Sequence, residues 1–347
     1  MKKVVNILYL YAEVMPYTEA VILELVNTFQ CNVTVIEATK FKQTPFIANK
    51  DNFYKYKTKE TFLTYNALKR YCIDFDPTII YISGWMDKNY MSIGSFFKKS
   101  GIPVVAGIDA QWKGTTRQYI ASVFSKILIQ PFFTHIWVAG LRQYEYAKKL
   151  GFKNNQIIDC LLSADTRTFQ RSKEYPKNKN ILFVGTLNKN KRVTLLVKLF
   201  IEILEEYNLF DWTLTIIGNG NESLPNHKNI FVKPFLSSET LMKEADKSLI
   251  FCLPSYSEAW GLVIHEFSCM GLALLISDSC GSSTTFLING YNGFIFERDN
   301  EKCFKSKLLY LMQKQIEELV FMGEKSIKLS QRITPEISAA NLLSILE

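Results

Sequence analysis

At 347 residues the chain exceeds one ordinary hydrophobic core and suits two domains. Its 48% hydrophobic and 21% charged residues exclude wholesale disorder. The net charge of +8 arises from dispersed basic residues with small clusters such as Lys55, Lys57 and Lys59, which reads as a solvated face ahead of a nucleic-acid stripe.

The start, Met1, Lys2 and Lys3 before an apolar stretch, has the outline of a signal peptide. Glu13 follows without a small-residue cleavage site, so a buried first strand over 4–11 is expected instead. Further strands are expected over 32–36, 78–82, 104–106 and 136–139. Helices are expected over 19–29, 59–72, 91–99 and 142–150. The greasiest region, 120–141, is broken by Lys126, Gln130, Pro131 and His135, whereas a membrane span needs about 20 nearly unbroken apolar residues. It is expected to form a buried helix, then a strand after Pro131. Residues 165–180 are polar, with Pro176 and several Lys and Asn, and make the best linker.

The alternation then restarts, with strands over 181–184, 214–217, 230–232, 249–253, 273–277 and 293–296. The helices between them cover 194–207, 238–245 and 262–269, and a helical tail follows. Strand and helix in alternation give parallel sheets covered on both faces, with ligands beyond the carboxyl ends of the strands. The seven cysteines are odd in number and never in C-x-x-C, and the three histidines lack ligand spacing. This reads as a reducing compartment, the cytoplasm by default, with buried thiols and neither a disulfide frame nor a zinc site.

The stretch from Pro254 through Glu258, Gly261, Leu262, Val263 and Glu266 to Gly271 is the most informative. A strand ends at Pro254, a turn bears Glu258, and a helix opens near Gly261. The first amides of a helix lack intrahelical acceptors and suit a diphosphate. Leu262 and Glu266 are four apart on one face, so Glu266 lies one turn below those amides, where a carboxylate accepts both hydroxyls of a ribose. Glu258 precedes the helix, where a sugar on the β-phosphate would lie. Two glutamates eight apart also occur by chance in a chain of this size.

In context the stretch resembles the E-x7-E motif of the family 4 glycosyltransferases, the glycosyl transferases group 1. The resemblance continues through Asp278, Gly281 and the turn from Asn289 to Phe294. Upstream it takes in Gly185, Leu187 and Lys191, then Gly218 and Gly220, and finally Asp165 to Phe169. It implies an α/β GT-B fold: two facing Rossmann-like domains with a central cleft, an acceptor-side domain over 1–163 and a donor domain over 164–329. A C-terminal helix over 330–347 would cross back to the first domain. The implied activity is retaining, metal-independent transfer of a hexose-type sugar from a nucleotide diphosphate sugar to a glycan or lipid-linked acceptor. A uridine donor is favoured over guanosine, no cofactor is needed, and a role in bacterial surface polysaccharide synthesis is the family-level expectation.

The resemblance gives Lys191 the donor phosphates, Glu258 the donor sugar and Glu266 the ribose, with Phe235 near the base. A lysine in such a loop is otherwise a solvated residue; here it would stabilise the leaving diphosphate. The family's phosphate-binding arginine is replaced by Thr186, and Lys189 or Arg192 is the candidate to compensate, Arg192 the better. In the N-terminal half the glycine-rich loop is replaced by Glu13 to Tyr17, and the histidine loop by Gly107 to Trp112. Asp109 is the only ionisable side chain there and is the acceptor-side candidate, with helix capping near Thr115 as its other reading. Trp85 and Trp112 either stack on an acceptor or belong to the core, and core is the stronger reading. Lys113 and Arg117 suit a lipid diphosphate, and a peripheral contact with anionic membrane stays open.

Three rivals are weighed. A metal-using GT-A reading rests on Asp74 and Asp76, which precede Pro77 and a strand instead of following one. A hydrolase with Glu258 and Glu266 as acid and base would need them closer than the roughly 12 Å that eight mostly helical residues span. A non-catalytic nucleotide-sugar-binding protein, or an epimerase on the same fold, remains the alternative to transfer.

Overall fold

Short apolar runs bounded by turn residues become strands buried on both faces, and longer amphipathic runs become the helices that cover them. The computed structural model describes residues 4–38, 53–172 and 178–347. The Lys2 and Lys3 start and the Pro176 part of the expected linker lie outside the described residues. The chain divides into two compact units, one of residues 1–165 with 333–347 and one of residues 166–332.

In chain order the first unit holds β1 (Asn6–Tyr11), α1 (Pro16–Asn27), β2 (Asn32–Glu37), β3 (Lys55–Thr58), α2 (Tyr65–Asp74) and β4 (Ile79–Ile82). There follow α3 (Lys88–Lys99), β5 (Val104–Ile108), α4 (Thr116–Val123), α5 (Ser125–Leu128), β6 (His135–Val138), α6 (Leu141–Lys149) and β7 (Ile157–Ile158). Its sheet is parallel in the order β3-β2-β1-β4-β5-β6-β7. The order reverses between β1 and β4, where the crevice of such a sheet opens.

The short edge strand β7 was not expected, and two longer stretches differ from expectation. The helix expected over 59–72 starts only at Tyr65, where Thr64 accepts the Ala67 amide at 3.1 Å; Lys59–Thr61 form a single 3-10 turn directly after the edge strand β3. The region after Ile120 is helical but not buried. α3 and α6 already fill that face of the sheet, with Tyr90, Ile93, Phe97, Tyr146, Ala147 and Leu150 in its core. Only Ala121, Ser125 and Ile129 turn inward, so most apolar side chains of α4 and α5 are left exposed.

The second unit holds β8 (Asn180–Val184), α7 (Val193–Tyr207), β9 (Thr213–Ile217), β10 (Ile230–Lys233), α8 (Ser238–Asp246) and β11 (Ile250–Leu253). It continues through α9 (Leu262–Cys269), β12 (Ala273–Ser277), α10 (Ser283–Phe286), β13 (Gly293–Phe296), α11 (Glu301–Met312) and α12 (Ile316–Ser330). Its sheet is parallel in the order β10-β9-β8-β11-β12-β13, reversing between β8 and β11. The last helix, α13 (Pro335–Leu343), belongs to the first unit, where Ala339 and Leu342 join the core formed by Ile22 and Leu25 of α1.

Backbone packing at the head of the second sheet leaves no room for side chains. A Cβ on Gly218, which follows β9 with φ +148°, would stand 2.0 Å from the Gly185 carbonyl oxygen after β8. Gly218 therefore sets how closely these two strand ends approach. Gly218→Ala is expected to lower stability by about 2–4 kcal/mol, read as a shift in the denaturant midpoint, because the clash is with backbone and cannot be relieved by a rotamer.

Candidate functional site

Three loops meet at the carboxyl ends of β8, β11 and β12, at the reversal of strand order. The first, after β8, is tied to the second, after β11, by both ends of one residue. The Asn190 carbonyl accepts the Tyr256 amide at 2.7 Å, and its side-chain amide donates to the Ser257 carbonyl at 2.8 Å. The third loop braces the second, since the Gly281 amide donates to the Glu258 carbonyl at 3.2 Å and the Ser282 amide to the Trp260 carbonyl at 2.8 Å. The Ser282 hydroxyl reaches the Gly261 carbonyl at 2.9 Å. These bonds satisfy backbone groups that loops would otherwise leave unpaired, and they fix side chains far apart in sequence.

Lys191 and Glu258 meet as a direct ion pair, each side chain 18% exposed. Sequence reasoning placed them in separate roles and missed their contact. The Lys191 amide donates to both the carbonyl and the side-chain oxygen of Asn188 at 3.0 Å, which turns the chain so that the ammonium faces the second loop. Gly261 caps α9 with φ +86°, and a Cβ there would stand 2.9 Å from Cγ of Glu258. Glycine thus both makes the left-handed turn and admits the glutamate. The Leu262 and Val263 amides at the head of α9 donate to no acceptor among the described residues. They point, with the positive end of the helix, out of the chain's own hydrogen-bond network.

One turn on, Glu266 is half-buried, and its carboxylate has no hydrogen-bond or ion-pair partner among the described residues. Burial pushes its carboxyl up to about 7. The side chain is therefore neither in the sealed interior nor freely solvated, a costly position unless something else supplies donors. The neighbouring His265 is different: it is fully buried, stacks on Phe286 at 4.0 Å and contacts the Ser330 carbonyl through Nε2 at 2.9 Å, and burial holds it down at about 4. It is a core histidine.

The remaining residues singled out in the sequence divide. Thr186 and Lys189 are exposed in the loop after β8. Arg192 sits at φ +53°, in the left-handed region that favours glycine, and its guanidinium donates to the Arg298 carbonyl. Phe235 is 59% exposed beyond β10. A separate pocket of about 670 Å³, lined among others by Asn180, Thr213, Thr215, Lys233 and Glu244, takes in none of these residues.

In the first unit Asp109 is exposed just past β5, its carbonyl accepting the Gln143 side-chain amide at 2.8 Å. It does not cap α4: Thr115 does, accepting the Gln118 amide at 3.3 Å in a capping box. Trp85 and Trp112 are half-buried and pack against the core, Trp112 edge-on to Tyr119 at 5.0 Å with Lys149 over its face. Lys113 and Arg117 are exposed. Tyr17 is half-buried and lines a small cavity with Tyr9, Tyr11, Tyr81 and Trp137 at the reversal between β1 and β4. Burial pushes the hydroxyls of all four tyrosines up from the ordinary value. Tyrosines at alternate positions of β1 were the overlooked signal. Asp74 and Asp76 lie before β4, away from the carboxyl edge, so they do not form a site after a strand.

Residues 164–329 match the family model described as glycosyl transferases group 1. The second unit is a group 1 glycosyltransferase domain. An uncharacterized glycosyltransferase of Haemophilus influenzae is 30% identical over 192 residues, 52% of this chain and 52% of that protein. The chain thus spans about half the length of the curated relative it matches. Among solved structures, HepE of Anabaena in complex with UDP and glucose has a TM-score of 0.74 at 12% identity over 99% of both chains. Sucrose-phosphate synthase of Thermosynechococcus elongatus has a TM-score of 0.72 at 12% identity, over 99% of this chain and 98% of that one. The fold is of the GT-B type. In this glycosyltransferase domain, the ion pair, the bare amides and Glu266 all lie within the E-x7-E stretch and the loop that embraces it.

Proposed function

We propose that the protein is a retaining glycosyltransferase that moves a hexose-type sugar from a UDP-sugar to a glycan or lipid-linked acceptor, without a metal ion. The observation that supports this reading is the grouping at one strand-order reversal of a cation, two unengaged helix-start amides and a partnerless carboxylate one turn below. A diphosphate would take the amides of Leu262 and Val263, the ribose hydroxyls would donate to Glu266, and Lys191 would meet the oxygens of the leaving group. As the sugar–phosphate bond lengthens, charge grows on that group, and fixed donors there lower the barrier more than they bind the ground state. Glu258 would give up its share of Lys191 to the phosphates and accept from the donor sugar. Asp109, Trp85, Trp112 and Tyr17 are proposed for the acceptor side, and surface polysaccharide is the proposed product class. The UDP and glucose in the HepE complex favour uridine.

A thermal-shift screen tests this directly. UDP at a hundredfold excess over its dissociation constant is expected to stabilise the protein by about 2.7 kcal/mol. GDP at the same concentration is expected to give a smaller shift. Transfer from UDP-glucose to a simple sugar acceptor is expected to persist in excess chelator. Nucleotide binding with no turnover across donors and acceptors would instead establish the non-catalytic binding reading.

A further inference from the structure

Between Ala110 and Tyr144 the chain has four Lys or Arg and no Asp or Glu. Within it, Ile120, Val123, Phe124, Ile127 and Leu128 follow the i, i+3, i+4, i+7, i+8 spacing of an amphipathic helix. Such a stripe ordinarily faces a core. Here it faces solvent: Val123 is 72% exposed, Ile127 70%, and none of the others in the stripe is below 49%. The opposite side of α4 and α5 rests on the unit through Ala121, Ser125 and Ile129, and the Ser122 hydroxyl donates to the Lys149 carbonyl at the end of α6. The helices are therefore docked by their small residues with the apolar face turned outward. Lys113, Arg117 and Lys126 stand exposed along the same segment.

We infer that α4 and α5 form a docking surface for an anionic lipid bilayer. A contiguous apolar stripe of this kind marks an interaction site. The partner must accept bulky aliphatic side chains and complement the exposed Lys113, Arg117 and Lys126. A second copy of this chain meets the first requirement but sets Lys113, Arg117 and Lys126 against their own like charges. A bilayer meets both, since the side chains enter the acyl boundary while the basic residues stay at the headgroups. This surface is distinct from the grouping around Glu266 and does not depend on the proposed transfer.

Flotation of the full chain with vesicles tests the inference. Binding is expected to phosphatidylcholine–phosphatidylglycerol vesicles and not to phosphatidylcholine alone, and it is expected to weaken with salt. The double variant Val123→Glu with Ile127→Glu should lower partitioning about tenfold or more, with an unchanged melting temperature because both side chains face solvent. Lys126→Gln should lower it about fivefold. Failure to bind the anionic vesicles at low salt overturns the inference, as does equal binding by the double variant. Self-association of the wild type that the double variant abolishes would assign the face to a second copy and overturn it too.

Discussion

Replacing Lys191 by alanine is expected to cut turnover roughly 100- to 1,000-fold, the size of effect seen when one charge-stabilising donor is removed. The reason lies in where the ammonium is held. It is fixed by the Asn188 turn at one end and by Glu258 at the other, beside the head of α9. Loss of the lysine also removes the cation facing Glu258. Because both side chains are partly exposed, the added cost in stability is expected to be only about 1–2 kcal/mol. These two effects separate experimentally. Lys191→Met combined with Glu258→Gln removes the uncompensated charge, so melting temperature should recover while turnover does not. Near-normal turnover in Lys191→Ala would remove the lysine from the reaction.

Glu266→Gln is expected to move binding and stability in opposite directions. Losing a charged acceptor for two hydroxyls should weaken UDP binding about 10- to 100-fold, measured by calorimetry at pH 8. The apo protein, however, should become more stable at that pH. Burial raises the wild-type carboxyl from 4.5 to about 7, so between those values the folded chain holds a proton that the unfolded chain has released. The stability that comes from the neutral form is fully present below pH 4.5 and is lost as pH rises through 7, an effect of at most about 3 kcal/mol. The glutamine variant has no such loss. Melting curves at pH 5 and pH 8 should therefore show the variant gaining on the wild type only at the higher pH. The same titration should weaken UDP binding by the wild type as pH falls below 7. A pH-independent gap between the two proteins would contradict the assignment of Glu266.

Much of the architecture was legible because parallel strands covered on both faces must be written as uninterrupted apolar runs, as in Ile79–Ile82 and Ile250–Leu253. The edge strands β3 and β7 escaped because an edge needs little apolar surface: one reads Lys55, Tyr56, Lys57, Thr58, and the other has only two residues. α4 and α5 were misjudged for a related reason. Hydrophobic spacing shows that a face wants covering but not whether the chain itself has anything left to cover it with. At the site, the helix start at Gly261 was legible from local spacing. The pairing of Lys191 with Glu258 was not, since 67 residues and three strands separate them, and they meet only because β8 and β11 are neighbours in the sheet and Asn190 ties their loops together. The partnerless state of Glu266 is likewise a property of its surroundings and has no signature in the residue itself.

The return of α13 to α1 has a consequence for how the molecule is made. Residues 166–332 form an uninterrupted stretch whose core needs nothing from outside it, so that half is able to close as soon as it has been synthesised. The earlier half is not. Its apolar surface around Ile22 and Leu25 waits for Ala339 and Leu342, which arrive more than 300 residues later. The part of the chain translated first is thus completed last, and nascent chains halted before residue 333 would present that uncovered helix to chaperones and proteases.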